Sequence, residues 1–584
     1  MNTKICVLTA LAICIGLLLT GFSAGQLETS VTLSSSGVVQ QTSTGTYSYI
    51  ISVSGSNYQM TDGTTGQIEY QSTNATQVIN YAIGNLTRGG GKIQFNAGVY
   101  NLIGSIYSDA KDNVTLVFES GATLFVADDM NAPAIRIKYA NNWLITGATI
   151  NGNAAGQTSL DDMRGPSGIV IEFSNNTQVS NAIIDNVRYY GVNIIAGGGL
   201  ITRNSGVINS KITNCGWNGI QLGGSDLANE VSLYAINNEV AYCSDVGITS
   251  YGNGNIITGN YVHDMNGTTG YNNPNIGIAV EGGSNHIITQ NTVKNSHTGI
   301  NVMITSPWGG SRNITISNNV ITNDATYQPD TGATGIALGS GVQNEVVRDN
   351  YIAGIYCDSS TWNFGIGILL TNASYNSVIG NTIIGSGSIG ILSDINSNNN
   401  TINFNTVSDT KAGNYFGTTH MGTGIDVFGN NNYLSENQVF DSRQGVARTQ
   451  KYGIIVETGA LYNILIGNNA HNNLFLNFDV TNNVPESAMI NNTGYNPVGY
   501  IANPISGNTA YLIDSGNNST WISGMVYTNT GSPKVLDISL GTVSAVTQNG
   551  VTLFTTTGCT ITLNPGDTFS VFFSLQPAIK VDGQ

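Results

Sequence analysis

Charge is scarce in this chain, and positive charge is scarcest. Asp, Glu, Lys and Arg make up 9% of its 584 residues, with 19 Lys and Arg against 35 Asp and Glu, for a net charge of -16. A nucleic-acid binder needs a dense cationic surface, and an anionic membrane needs a basic face, so both are excluded as partners. A neutral or cell-surface glycan, or copies of the chain itself, fit better. Proline is sparse, at 11 residues, and follows no three-residue period, which excludes collagen. Beyond the first 24 residues only Cys215, Cys243, Cys357 and Cys559 remain, so the chain is no disulfide-rich miniature fold. Apolar residues still reach 40%, too many for a disordered chain.

What is abundant is glycine, at 72 residues, together with asparagine and β-branched side chains. The length exceeds what one hydrophobic core usually needs, which leaves several domains or a repeat array. Two recurring signatures decide for the array. A Gly-Ile or Gly-Val step opens short alternating strands at Gly168, Gly191, Gly219, Gly247, Gly277, Gly299, Gly335, Gly367, Gly390, Gly424 and Gly453. Between these steps Asn260, Asn291, Asn319, Asn350, Asn381, Asn405 and Asn437 each have Val or Ile two places on. The spacing predicts a coil of roughly 22 to 36 residues with at least two strands and asparagine at a bend. No single coil buries its apolar face; stacked coils do. The expected fold is all-β, a right-handed parallel β-helix solenoid with an N-terminal cap and a small C-terminal β-sandwich.

The ends follow from the same logic. Residues 1–24 read as a secretory signal: Lys4, an apolar run from Ile5 to Leu19, then Phe22-Ser23-Ala24. The run is short for a stable membrane span, so none is expected after its removal. Secretion or cell-surface display follows. Residues 25–88 are expected to hold strands and a capping helix with Val78, Ile79, Ala82 and Ile83 on one face. The solenoid is assigned to 89–480, a transition to 481–510 and the sandwich to 511–584. Asn-x-Ser/Thr triplets at Asn74, Asn85, Asn113, Asn175, Asn266, Asn313, Asn372, Asn399, Asn491, Asn517 and Asn518 permit N-glycosylation.

The runs GGGKIQFNAGVYNL, GATLFV and ITGATINGN, followed by NHIITQNTV-type segments, resemble the pectate-lyase-like parallel β-helix superfamily over roughly residues 70–470. The flanking YQMTDGTTGQIEYQSTNATQVINYAI and YTNTGSPKVLDISLGTVSAVTQNG are similar to modules attached to such helices in archaeal surface and phage-like proteins. The resemblance implies the fold. It does not choose among the superfamily's lyases, hydrolases, epimerases, depolymerases and non-catalytic surface proteins. Its polygalacturonase-like branch carries Asn-Thr-Asp, Asp-Asp, Gly-His-Gly and Arg-Ile-Lys in that order. Here Arg136-Ile137-Lys138 precedes Asp161-Asp162, and Gly-His-Gly is missing, so that catalytic assignment does not transfer.

Glycoside hydrolysis needs two carboxyl groups, and elimination at a uronic acid needs a base and a cation. One candidate cluster is Asp161, Asp162 and Arg164, with Asp185 and Arg188 one coil later. Another is Asp245, His263 and Glu281. The first also reads as an ion-paired solvated bend, and in the second His263 also reads as the start of an inserted polar loop. Glu172, Glu281 and Glu457 share one offset from their Ile, which also fits a turn requirement. Tyr189, Trp217 and Asp245 fall in one column, and Cys215 and Cys243 in another, as stacked thiols or a cross-coil disulfide. Inserted bends carry Tyr271, Tyr327, Trp362, Tyr415, Phe416 and Tyr452, suited to a glycan groove or a subunit interface. No cofactor is required; a lyase would add a divalent cation such as Ca2+. The leading expectation is an extracellular structural or adhesive surface protein that self-assembles and is glycosylated. A secreted polysaccharide lyase, hydrolase or epimerase stands beside it, as does a non-catalytic glycan-binding or phage-like receptor-binding protein.

Overall fold

A computed structural model describes residues 47–108, 110–159, 165–224, 226–265, 275–303, 311–327, 332–356, 365–412, 421–480, 488–494, 509–511, 526–529, 533–539, 542–575 and 578–583. The signal segment, Asp161, Asp162, Arg164, Asn266, Tyr271, Cys357, Trp362, Tyr415, Phe416, Asn517 and Asn518 lie outside them.

Each coil contributes one strand to each of three parallel sheets. In one representative coil, Ile256–Thr258 lies in the first sheet, Tyr261–His263 in the second and Ile276–Val280 in the third. The isoleucine of the Gly-Ile step lies inside, directly over its equivalents. Ile220 pairs with Ile248, Ile248 with Ile278, and Ile278 with Ile300. The same column continues through Ile336, Ile368, Ile391, Ile425 and Ile454, all fully buried. Burying such a side chain stabilises by about 1.5–3 kcal/mol, and each coil adds another.

The glycine has a packing reason. The register passes from Val246–Ile276 to Ile248–Ile278 and skips Gly277, which lies inside the strand. A Cβ at Gly277 would lie 2.3 Å from Val293 Cγ1 and 2.7 Å from the Gly299 carbonyl oxygen. Only hydrogen leaves room for the second sheet and the next coil.

The asparagines form a buried ladder at the two-residue bend between the first and second sheets. The Asn260 backbone N–H donates to Asn291 Oδ1 at 3.0 Å, and the Asn260 amide donates to Asn291 Oδ1 at 2.9 Å and to the Ala235 carbonyl at 2.9 Å. The backbone link runs from Asn238 through Asn319, Asn350, Asn381, Asn405, Asn437 and Asn468 to Asn492. These bonds satisfy bend backbone groups that burial would otherwise leave unpaired.

At the N-terminal end, strands Tyr49–Ser54, Asn57–Asp62 and Ile68–Ser72 form an antiparallel meander that joins the first sheet through pairing of Tyr49–Ile51 with Ile93–Phe95. Helix α1, Ala75–Asn85, follows, capped by the Asn74 side chain, which accepts from the Gln77 N–H. Its Val78, Ile79, Ala82 and Ile83 are fully buried. At the C-terminal end, five strands including Thr542–Gln548 and Thr568–Leu575 form one sheet, and Lys534–Ser539, Cys559–Leu563 and Ala578–Gly583 form another. Leu536, Ile538, Val546, Ile561 and Phe569 are buried there.

Cys215 and Cys243 are free, buried thiols rather than a disulfide. Each donates to a carbonyl two residues earlier, Cys215 to Thr213 at 3.8 Å and Cys243 to Ala241 at 3.5 Å. Cys559 is likewise free and buried.

Candidate functional site

The outer face of the third sheet holds the most unusual polar chemistry. Asn193, Gln221, Thr249 and Ala279 are successive register partners there, one residue after the inward column. All four are buried. Along the edge where these strands begin, Tyr189, Trp217 and Asp245 follow one another. The Trp217 N–H donates to the Tyr189 carbonyl at 3.1 Å and the Asp245 N–H to the Trp217 carbonyl at 3.4 Å. The Tyr189 ring lies 5.6 Å from Trp217 and 4.4 Å from Tyr190.

Tyr251 and Glu281 follow the ends of neighbouring strands of the same sheet, and the Tyr251 hydroxyl donates to Glu281 Oε2. Burial, then the Glu281 charge, pushes the Asp245 carboxyl up to about 7. Burial also raises Glu281, opposed by the Tyr251 hydrogen bond, which favours the charged form. Tyr190 and Tyr251 are raised by burial and feel both acids. Asp245, Glu281, Tyr190 and Tyr251 therefore form one electrostatic unit: two acids in a partly dry, aromatic setting.

His263 does not join it. It ends a second-sheet strand, stacks on Tyr261 at 4.1 Å, and bonds through Nδ1 to Asp264 Oδ2 at 2.7 Å. Its Nε2 faces Glu239 at 3.6 Å, and Glu239 is paired with Lys211 at 2.7 Å. The expected grouping of Asp245, His263 and Glu281 is thus corrected to Asp245 with Glu281. The partners of the histidine are Asp264, Glu239 and Tyr261, and neither acid is among them.

Other candidates scatter. Arg188 stands at the corner before Tyr189, its Nε buried without a hydrogen-bond partner. Asp185 accepts from Thr213 Oγ1 and Asn214 Nδ2, both at 2.6 Å. The three glutamates at one offset do different work: Glu172 pairs with Arg136 at 2.5 Å, Glu281 accepts from Tyr251, and Glu457 adds to the burial that raises Asp426. Tyr327 donates to the Met265 carbonyl at 3.4 Å, and Tyr452 packs edge-on against Phe475 at 5.8 Å, neither in the Asp245 cluster. Among the glycosylation triplets, Asn74 caps α1, while the amides of Asn85, Asn175, Asn313 and Asn372 donate to neighbouring oxygens. Asn113, Asn399 and Asn491 are exposed. Tyr190 and Tyr251 escaped the sequence reading. Tyr251 left a trace, standing three residues after its Ile as Glu281 does.

Among the described residues no group of three or more His, Cys, Asp or Glu is arranged to hold a metal ion. No helix among them is long and apolar enough to cross a membrane.

The right handed beta helix region family matches residues 133–307, 200–364 and 308–470, together more than half of the chain. The chain belongs to the right-handed β-helix family. No curated protein matches this β-helix. Among solved structures it is similar to the tailspike protein of E. coli bacteriophage HK620, at 13% identity and a TM-score of 0.48, over 87% of this chain and 89% of that one. The N-terminal fragment of bacteriophage Phi29 gene product 12 aligns at 14% identity and 0.49, over 72% and 70%. The A-module of Azotobacter vinelandii mannuronan C-5 epimerase AlgE4 aligns at 14% and 0.37, over 71% and 96%. At such identities the likeness is one of fold.

Proposed function

We propose that this β-helix is an extracellular protein that binds a polysaccharide at the edge of its third sheet, beside Tyr189, Trp217 and Asp245, and hydrolyses a glycosidic bond there. The observation that carries the reading is the pairing of Asp245, whose carboxyl is pushed up to about 7, with Glu281, which burial raises and the Tyr251 hydrogen bond pulls back toward its charged form. A general acid must hold its proton at working pH, and its partner must be ionised. Asp245 protonates the departing glycosidic oxygen. Glu281 activates water or attacks the anomeric carbon. Tyr189 and Trp217, beside Asp245, offer ring faces on which a sugar stacks. A purely structural or adhesive role draws its support from the isoleucine and asparagine columns. A solenoid needs those columns whatever it does, and they give no account of two half-buried acids.

The test is cleavage by the exported chain across a polysaccharide panel, read as new reducing ends, beside electron microscopy of the same material. Hydrolysis by wild type, lost in Asp245→Asn and Glu281→Gln, is expected. Ordered sheets or filaments without any hydrolysis would return the structural reading.

A further inference from the structure

The third sheet carries a second feature near its N-terminal end. A cavity of about 490 Å³ is lined by Asn80, Tyr107, Ser108, Ala110, Lys138 and Tyr139. Tyr107 and Tyr139 are about half exposed, at 46% and 51%, so their rings are open to a ligand. The Tyr139 ring stacks on Phe173 at 5.2 Å, making a broader platform. Lys138 Nζ lies 4.9 Å from the Tyr139 centroid and 5.7 Å from that of Phe173.

Several cations, Lys111, Arg203, Arg312 and Lys451 among them, hold no acid among the described residues, and Lys138 is one that lines a cavity. Lys211, Lys294, Arg136, Arg348 and Arg443 each hold a carboxylate. Lys138 makes no ion pair with any described residue. Its register neighbour Glu172 is taken by Arg136. In a chain with 35 acidic and 19 basic residues, an unpaired ammonium beside open aromatic faces is a local reversal of sign. The Asn80 amide and carbonyl are already spent on the Ser105 carbonyl and the Tyr107 N–H, so they fix the cavity wall.

The cavity and the acid pair share one face. Arg136, Val170, Asn193, Gln221 and Thr249 are successive partners in the third sheet. Lys138 is the last residue of the strand that starts this run, and Tyr251 follows the strand that ends it. Four coil steps of about 4.8 Å place them roughly 19 Å apart. The two sites stand on one side of the solenoid, with the buried Val170, Asn193 and Gln221 between them.

We infer that the Lys138 cavity is a binding subsite for a negatively charged sugar of the same polysaccharide, one bearing a carboxylate or a sulfate ester. The ring stacks on Tyr139 while the ammonium of Lys138 meets the anionic group. The subsite rests on the glycan reading above and refines its substrate from neutral to locally acidic.

The experiment is calorimetric titration of the exported Asp245→Asn chain, which binds without cleaving. Its ligands are polyuronate oligomers, their carboxyl-reduced counterparts and a sulfated oligosaccharide of equal length. Preference for either acidic ligand over the reduced one is expected, with the carboxylated and sulfated arms separating the two anions. Lys138→Gln, added to that background, should weaken acidic binding roughly tenfold, leave reduced oligomers unaffected, and be rescued by Lys138→Arg. Its thermal melt checks folding. Equal binding of acidic and reduced oligomers, or no effect of Lys138→Gln, overturns the subsite while leaving the hydrolysis reading standing. Absence of binding to every oligomer, with no cleavage by wild type, overturns both.

Discussion

Glu281 helps to keep a proton on Asp245. The two lie on adjacent coils, and the charge of the first, added to burial, lifts the second to about 7. Hydrolysis that uses Asp245 as its acid should therefore fall as pH rises above about 7. Asp245→Asn should lower kcat/KM by roughly 10²- to 10⁴-fold. Tyr251→Phe removes the donor to Glu281, so that carboxylate will protonate more readily. The acid limb of the pH–rate profile should move to higher pH. His263→Gln should leave the profile in place, because its partners are Asp264 and Glu239.

The asparagine ladder makes a local prediction about stability. Asn319 accepts the Asn291 N–H at 3.0 Å and donates to the Ile288 carbonyl and Asn350 Oδ1, each at 3.0 Å. Asn319→Ala strands the buried Asn291 N–H and Ile288 carbonyl of the preceding coil. Each such group costs about 1–3 kcal/mol, so a clear loss in urea stability is expected. Hydrogen exchange should quicken first at the Asn291 N–H, at the bend of the preceding coil.

Much of this architecture was legible because a solenoid repeats its physics. The Ile278 column and the Asn260 ladder recur in sequence at the positions where they recur in space. The reading required Val or Ile two places on, and so passed over Asn468, followed by Ala470. A second ladder, through Asn376, Asn400, Asn432 and Asn463, stayed hidden because the same column holds His286, Ile314 and Glu345 upstream. The site was less legible. Asp245, Glu281, Tyr189 and Trp217 stood out by column, but Tyr190 and Tyr251 join them through side-chain packing that periodicity does not encode. His263 was misplaced because nearness in sequence ignores which sheet a strand enters.

The Gly-Ile step should tolerate change at isoleucine better than at glycine. Ile278→Val removes one methylene and should cost about 0.5–1.5 kcal/mol. Gly277→Ala places a methyl 2.3 Å from Val293 Cγ1 and 2.7 Å from the Gly299 oxygen, so the second sheet or the next coil must move. The larger loss should come from the glycine change. Thermal melts of both variants beside wild type decide it.

Glu345 replaces an amide in the second ladder, and this gives stability a pH dependence. Its carboxyl is buried, accepts the Ile314 N–H through Oε2, and has no hydrogen-bond partner at Oε1. Burial pushes it up to about 8, whereas an unfolded glutamate titrates near 4.3. Below about pH 4 both states hold the proton and nothing is lost. Between about pH 4 and 8 the unfolded chain releases its proton first, so the fold weakens, and the loss levels off above 8. His286, two coils away in the same column, is pushed down to about 4 and stays neutral through this window. Glu345→Gln keeps the acceptor for Ile314 but never ionises. At one pKa unit per about 1.4 kcal/mol, it should gain a few kcal/mol over wild type at pH 8.5 relative to pH 5. Any cost of its extra amide N–H is the same at both values. Glu230 and Asp426 are also raised by burial, so they tilt both proteins equally and cancel in the comparison. Urea denaturation at the two pH values measures the difference, and an unchanged increment would mean that Glu345 is ionised in the fold.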